Sequence, residues 1–290
     1  MRKEKDSMGK ILVPDDAYYG AQTQRAVENF QISDRRIPRT LIRSLGLIKK
    51  SAALTNYKLK RINFKTKNAI VKACNEIISG KHDNQFVVDI FQTGSGTSTN
   101  MNTNEVISNR ANEILGYEIG GKFPVHPNDH VNLGQSSNDT FPTSINIAIC
   151  MELKEKLYPE LNALSKALSK KVLEFKNIIK IGRTHLQDAT PITLGQEFSG
   201  YLNMIENSLE RIKDSEKYVR SLAQGGTAVG TGINTHPHFG KLVAQELSKL
   251  TGIKFKEAKN HFEAQATQDS VLQVSGAIRG LAVSLSLIHI

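Results

Sequence analysis

The chain has 290 residues, of which 39% are hydrophobic and 23% charged, and its formal net charge is +10. This length and apolar content suit a soluble globular protein with one large domain or two moderate ones. The two cysteines, Cys74 and Cys150, are too few for a disulfide framework or for the usual thiolate ligands of an iron–sulfur cluster. We therefore expect buried free thiols in a reducing compartment.

The basic residues do not by themselves indicate a nucleic-acid site. Those between residues 58 and 67 are interspersed with Leu59, Ile62 and Phe64, which favours a solvated helix or turn face.

Residues 1–7 are charged and lack the apolar core of a secretory signal, and no apolar run approaches the length of a membrane span. We expect a cytoplasmic protein without a nucleic-acid or membrane partner.

The N-terminal part of the chain combines turns, extended pieces and helices. Prolines and acidic residues indicate turns and extended chain up to about residue 40. The spacing of apolar residues then predicts helices over 40–58, 64–79 and about 104–115. Polar stretches over 94–104 and 124–138 predict loops. We expect residues 1–134 to form a smaller, mostly helical domain.

Three long stripes of apolar residues follow, spaced three and four residues apart, over 153–175, 194–212 and 271–285. Pro159 interrupts the first stripe and should kink its helix. Such narrow stripes suit helices that pack against one another or against other subunits. The sequence therefore predicts a mainly α fold in which residues 135–290 form an incomplete bundle of long helices.

Three polar segments offer candidate ligand contacts. Residues 93–102 combine glycines, which let backbone N–H groups approach a ligand, with hydroxyl donors. Residues 134–140 contain residue types that cap helices and also hold carboxylates, and both interpretations stay open. Residues 126–130 contain two histidines and an aspartate, but Pro127 disrupts the spacing of metal ligands, which disfavours a metal site.

A fourth segment, residues 182–191, contains His185. Thr190 as an N-cap and Pro191 as a first helical residue predict a long helix directly after it. A titratable imidazole beside an anion-attracting helix N-terminus suggests an acid–base site that acts on a carboxylate. The later Gly-rich segment 225–232 follows a helix, which excludes a dinucleotide fingerprint and favours a loop that lines a site.

Taken in order, these segments resemble the fumarase/aspartase superfamily, and most closely the class II, iron-independent fumarases. The resemblance covers nearly the whole chain, from residues 14–27 through Gly94–Thr97, His126–Asp129, Ser136–Asp139 and the Thr184-His185 pair. Aspartases typically carry Gln in place of His185 and a Ser-Thr-Asn-Asp run in place of residues 136–139. Both differences favour a fumarase.

The resemblance also implies roles for individual residues. The substrate carboxylates would be contacted by Ser95, Gly96, Thr97, Ser136, Ser137, Asn138 and Thr184. His185 resembles the acid/base histidine of the family, which acts through a bound water molecule. A second, non-catalytic dicarboxylate site of the family matches His126, Pro127, Asn128 and Asp129. No metal ion or other cofactor is implied.

The implied activity is that of a lyase: the reversible hydration of fumarate to (S)-malate in the tricarboxylic acid cycle. In the malate direction, a base removes the proton beside one carboxylate, the charge gathers there as an aci-carboxylate, and hydroxide leaves with acid assistance. The resemblance further implies a homotetramer with active sites shared between subunits. The alternatives are an aspartate ammonia-lyase and a non-catalytic, structural member of the superfamily.

The diagnostic loop of the family, of the form Gly-Ser-Ser-x-Met-Pro-x-Lys-x-Asn-Pro, does not occur in these 290 residues. That loop carries the serine regarded as the catalytic base. We therefore expect a fragment that lacks this loop and the rest of the bundle, and that does not catalyse on its own. Residues 285–290 match the translation of a sequencing-library adapter, and we expect them to be foreign to the gene.

Overall fold

The computed structural model describes residues 1–289, and most of that range is α-helical, which confirms the predicted mainly α fold. By packing, the chain divides into two compact units. The first contains residues 1–148 and 220–267, and the second contains residues 149–219 and the chain from 268 onward. Residue 290, the last of those predicted to come from an adapter, lies outside the described residues.

The first unit is built mainly from helices. Its N-terminal elements are β1 (Arg2–Asp6), β2 (Gly9–Val13), α1 (Ala21–Asn29), α2 (Arg39–Lys58), α3 (Phe64–Ser79), α4 (Thr97–Ile114) and the start of α5 (Ser137–Glu152). Strands β1 and β2 form an antiparallel hairpin. The core lies between α2, α3 and α4, around side chains that include Ile42, Ile70 and Ile107.

Helices α2 and α3 agree with the predicted 40–58 and 64–79 to within one residue. Local signals explain this agreement for α3. The Asn63 side chain accepts a hydrogen bond from the Thr66 N–H and caps the N-terminus. Gly80 ends the helix in the left-handed conformation at φ +91°.

Helix α4 begins at Thr97 and not near residue 104 as predicted, so the prediction of a loop over 94–104 was wrong from Thr97 onward. The polar residues there are buried in the first turns of the helix. Their partners come from distant segments: Asn102 donates to the Gln85 carbonyl, and Glu105 accepts from the Gly20 and Thr23 N–H groups. Composition alone therefore made a buried polar helix resemble a loop.

The segment 220–267 returns to the first unit. It contains β5 (Ser221–Leu222), α8 (Phe239–Thr251), β6 (Lys256–Glu257) and α9 (His261–Ala266). Strands β5 and β6 pair in parallel, and α8 packs against α2, where Lys58 and Glu246 form an ion pair. This division by packing differs from the expected domains 1–134 and 135–290, and the boundary after residue 134 stays a prediction.

The second unit contains the long helices α6 (Tyr158–Glu174), α7 (Leu194–Val219) and α10 (Asp269–His289). Helix α7 packs against both α6 and α10, and the predicted apolar stripes lie on these helices. Between α5 and α6, the α-helical hydrogen bonding gives way to a π-helical turn at Leu153–Leu157. This turn directly precedes Pro159, where a kink was predicted.

The chain between α6 and α7 is an antiparallel hairpin of β3 (Ile179–Thr184) and β4 (Gln187–Thr193). The predicted helix start at Thr190 and Pro191 was therefore wrong. Pro191 lies in β4 opposite Ile181, a position that proline tolerates near the edge of a sheet. The actual cap is a capping box, in which Thr193 N–H donates to Gln196 Oε1 at 2.8 Å and Gln196 N–H to Thr193 Oγ1 at 3.1 Å.

The prediction that no apolar run approaches the length of a membrane span was wrong for helix α10. Its 21 residues are long and apolar enough to cross a membrane by length and composition alone. The core helix of a soluble protein passes the same test. Two of its residues, Val274 and Leu281, are buried, and others such as Leu272 and Val283 are exposed.

Candidate active site

The N-terminus of α5 is organised by a second capping box. Ser136 Oγ accepts from the Asn138 N–H at 3.3 Å, and Asp139 Oδ1 accepts from the Ser136 N–H at 2.9 Å. The capping interpretation therefore holds for Ser136. Ser137 and Asn138 have other hydrogen-bond partners, described below.

Asp139 joins this turn to the Gly-rich segment. Its Oδ2 accepts from the Gly225 N–H at 3.0 Å and from the Thr227 N–H at 2.9 Å. Burial raises the pKa of the Asp139 carboxyl to about 6, although its backbone hydrogen bonds oppose that rise. Asn138 adds a contact, since its Nδ2 donates to the Ala228 carbonyl at 2.6 Å. The segment expected to line a site therefore packs beside the turn.

The Ser95–Thr97 turn begins α4. Ser95 Oγ and Thr97 Oγ1 are 2.8 Å apart and share a hydrogen bond. Gly96 adopts the left-handed conformation at φ +68°, and a Cβ atom there would lie 2.3 Å from the Phe141 ring of α5. Only glycine meets both demands, so it allows the close approach of this turn to α5.

The starts of α4 and α5 come together in the first unit. Besides the contact of Gly96 with Phe141, Asn100 Nδ2 in α4 donates to Ser137 Oγ at 3.0 Å. Each helix start carries the positive end of the helix dipole, and side chains cap part of its N–H groups: Thr99 N–H donates to Gln92 Oε1 and Asn138 N–H to Ser136 Oγ. Two such ends, with the hydroxyls of Ser95, Thr97 and Ser137, form an arrangement whose chemistry suits an anion.

Sequence reasoning missed a buried lysine that contacts the chain just before the Ser136–Asn138 turn. Lys49 of α2 is completely buried, and its Nζ donates to Asn132 Oδ1 at 2.8 Å and to Gln135 Oε1 at 3.0 Å. Burial lowers the pKa of Lys49 to about 7, and the charge of Asp139 opposes that change. The signal in the sequence was the position of this lysine, directly after Leu47 and Ile48 in an apolar part of the helix.

The predicted second dicarboxylate site, His126–Asp129, is the start of the π-helical turn Pro127–Val131, with His126 as its N-cap. His126 Nδ1 accepts from the Asn128 and Asp129 N–H groups, each at 3.2 Å. The same nitrogen lies 3.3 Å from Asp129 Oδ2. The assignment of these residues to a second ligand site stays a prediction.

Thr184 and His185 belong to the second unit and lie at the tip of the β3–β4 hairpin. His185 and Leu186 form the two-residue turn, with φ angles of +44° and +62°. Both residues are exposed, Leu186 to 94%. Two adjacent non-glycine residues in the left-handed region are strained, and such strain is concentrated at functional sites. The tip therefore presents an imidazole on a short, defined turn.

At the base of the same hairpin, Lys180 Nζ donates to Glu197 Oε2 of α7 at 2.5 Å. This hydrogen bond holds the pKa of Glu197 below its usual range.

Within residues 1–289, no group of three or more His, Cys, Asp or Glu side chains is placed to hold a metal ion.

Comparisons with known proteins agree along the whole chain. The family model for lyases matches residues 9–289. The chain is 54% identical to the mitochondrial fumarate hydratase of Saccharomyces cerevisiae, over 98% of this chain and 58% of that protein. It is 53% identical to the class II fumarate hydratase of Campylobacter jejuni, over 98% of this chain and 61% of that protein.

A solved structure shows the same fold. The recombinant class II fumarase from Schistosoma mansoni matches with a TM-score of 0.95 at 47% sequence identity, over 98% of this chain and 63% of that one. The chain thus spans less than two thirds of the length of the relatives that it matches.

Proposed function

The chain belongs to the lyase family, and we propose that the gene product containing it is a fumarate hydratase that interconverts fumarate and (S)-malate in the tricarboxylic acid cycle. The curated relatives that carry this name are 50% to 54% identical over nearly the whole chain. The observation that carries the proposal is the convergence of the α4 and α5 helix starts, linked by the 3.0 Å hydrogen bond from Asn100 to Ser137.

Two carboxylates of one substrate suit this arrangement. The Ser95–Thr97 turn offers two hydroxyls at the positive end of α4, and the Ser136–Asn138 turn offers the Ser137 hydroxyl at the positive end of α5. The overall positive charge of +10 favours the approach of a dianion. When the proton beside one carboxylate is removed, that group gains charge, and fixed donors bind it more strongly than they bind the ground state.

His185 is the proposed acid/base residue, acting through a bound water molecule, with Thr184 beside it as a substrate contact. Its support here is the matching family motif and the strained, exposed hairpin tip. An exposed tip can reach into a site completed by other parts of the complete gene product. We propose in addition a cytoplasmic homotetramer that shares its active sites between subunits, and a second dicarboxylate site at His126–Asp129.

The test is a fumarate hydration assay on the complete gene product and on its His185→Asn variant. The wild type should consume fumarate with water and form (S)-malate. Loss of a positioned acid/base group should lower kcat by about a hundredfold to ten-thousandfold. The His238→Asn variant is the matched control, because His238 is an exposed histidine before α8 and should keep wild-type kcat.

The outcomes separate the alternatives. A wild type that consumes fumarate with ammonia and not with water would be an ammonia-lyase. Absence of both reactions at high enzyme concentration, in a properly assembled oligomer, would favour a non-catalytic member of the superfamily. Equal kcat values for the His185→Asn variant and the wild type would remove His185 from the mechanism.

A further inference from the structure

We propose that Lys49 is a positioning residue: through Asn132 and Asn100, it fixes the direction of the Ser137 hydroxyl so that this group donates its hydrogen to a substrate carboxylate. The inference rests on the proposed function, since it assigns Ser137 to carboxylate binding. All four residues lie in the first unit, and the chain of hydrogen bonds between them is continuous.

The first step is the orientation of Gln135. Its Nε2 donates to the backbone carbonyls of Val131 and Leu133, at 3.0 and 3.4 Å. Carbonyls only accept, so the amide nitrogen has to face them. The Gln135 oxygen is thereby turned toward Lys49 Nζ, which donates to it at 3.0 Å.

Asn132 is oriented in the same way. Its Nδ2 donates to the Gln135 carbonyl at 3.3 Å, and its Oδ1 accepts from Lys49 Nζ at 2.8 Å. An ammonium group has donors only, and even a neutral amine keeps two N–H bonds, one for each of the two amide oxygens. Lys49 therefore holds the Asn132 oxygen as an acceptor.

Asn100 transmits this direction. Its Nδ2 has two hydrogens, one donated to Asn132 Oδ1 at 3.3 Å and the other to Ser137 Oγ at 3.0 Å. If the amide were turned over, two amide oxygens would face each other. The observed orientation instead leaves the buried Asn100 Oδ1 without a partner among the described residues, a departure that is typical of functional sites.

The final link is the Ser137 hydroxyl. A hydroxyl has one hydrogen to donate, and here its oxygen accepts from Asn100. The hydrogen is therefore available to a ligand at the helix start and not bound to Asn100. Without Lys49, only the 3.3 Å hydrogen bond from Asn132 Nδ2 to the Gln135 carbonyl would oppose a turn of the Asn132 amide, and a turned amide would present its N–H groups to Asn100. Asn100 would then turn its oxygen toward Ser137, and the hydroxyl would donate inward.

The test measures kcat and KM for fumarate in the complete gene product, with a double-mutant cycle between Lys49→Met and Ser137→Ala. Lys49→Met keeps most of the length of the side chain and removes every donor. We expect it to lower kcat/KM by roughly tenfold, mainly through a higher KM, because a substrate-binding hydrogen bond is lost. In the Ser137→Ala background, the same change should lower kcat/KM by less than about twofold.

Two further variants make the cycle specific. Lys50→Met removes the neighbouring lysine, which is less buried and donates to Asn75 Oδ1 at 2.8 Å, and it should stay within about twofold of the wild type. Lys49→Gln keeps N–H donors without a charge and should recover part of the loss. Thermal unfolding and oligomeric state are measured for each variant. If Lys49→Met does not fold, the double-mutant cycle between Lys49→Gln and Ser137→Ala tests the proposal in its place.

Non-additive losses at Lys49 and Ser137, with recovery by Gln, would support the proposal. Equal losses from Lys49→Met with and without Ser137 would overturn it and leave Lys49 a purely structural residue. Wild-type activity is measured first. A wild type that fails to hydrate fumarate would overturn the proposed function and, with it, the role of Lys49.

Discussion

The Ser136–Asn138 turn and the Thr184–His185 hairpin tip carry the two halves of the proposed chemistry, yet the protein holds them in different ways. Buried polar groups support the turn: Asp139 accepts from the Ser136 N–H, and Lys49 is linked to Ser137 through Asn132 and Asn100. The tip is defined by the backbone of a two-stranded hairpin, and both of its turn residues are exposed. One region is preorganised by tertiary contacts and the other by local geometry.

The difference follows from the task that each region would perform. Donors that bind growing negative charge are effective only when they are already in place, and buried, hydrogen-bonded supports provide this. An acid–base group has to meet water and a substrate that other parts of the protein present. An exposed tip with a strained turn fulfils that requirement and depends little on its neighbours.

The largest effect that would test this comparison concerns two aspartates. Asp139→Ala removes a buried carboxylate that accepts from three backbone N–H groups. Leaving these donors unsatisfied should lower the free energy of unfolding by at least about 3 kcal/mol. Asp188→Ala at the hairpin removes a side chain that is 71% exposed and paired with Arg183, and it should cost less than about 0.5 kcal/mol.

Urea denaturation of both variants, with the slope of the transition compared, checks this prediction. Similar losses for Asp139→Ala and Asp188→Ala would mean that the two regions are supported alike, and the contrast between them would then have to be abandoned.

A reciprocal pair of glycine substitutions should give a smaller effect of opposite sign in the two regions. Gly96→Ala places a Cβ atom 2.3 Å from the Phe141 ring at φ +68°, and it should destabilise the protein by about 2–3 kcal/mol. Leu186→Gly relieves a positive φ of +62° at an exposed position, and it should stabilise the protein by about 0.5 kcal/mol.

Thermal unfolding of the two variants measures both shifts against the wild type. We expect a lower Tm for Gly96→Ala, because its Cβ atom would clash with Phe141, and an unchanged or higher Tm for Leu186→Gly. A clear loss of stability on placing glycine at residue 186 would show that the Leu186 side chain has a packing role.

The smallest expected effect is a difference in pH dependence. The hydrogen bond from Lys180 lowers the pKa of Glu197 from 4.5, so its contribution is complete above pH 4.5 and is lost as the pH falls through the lowered value. Burial raises the pKa of Asp139 from 3.8 to about 6, so its protonation favours the folded state below pH 3.8 and this gain disappears as the pH rises through about 6.

Unfolding free energies of Glu197→Gln and Asp139→Asn, each measured against the wild type from pH 3 to pH 7, check these signs. The difference for Glu197→Gln should be about 0.5 kcal/mol at neutral pH and should vanish in acid. The unfolding free energy of the wild type, relative to that of Asp139→Asn, should fall as the pH rises from 4 to 6. Parallel pH curves for the two variants would contradict the assignment of one group to burial and the other to an ion pair.

Much of the helical framework could be predicted because its signals are local. The apolar spacing of α2 and α3, the Asn63 cap and the Gly80 stop act within a few residues of one another. The same kind of signal failed at Thr190-Pro191, because a cap-like threonine and a proline also suit an edge strand. The true cap was present three residues later, as the capping box of Thr193 with Gln196.

The sequence by itself determined the mainly helical fold, the family, and the residue types that would meet a dicarboxylate. Only the tertiary structure decided that α4 starts at Thr97, that its turn meets α5, and that Lys49 is linked to Ser137 through Asn132 and Asn100. Helix stripes and caps depend on neighbours within about four residues, and periodicity records these. A buried polar side chain depends on partners far away in the chain, such as Asn132, which lies 83 residues from Lys49, and only folding brings such partners together.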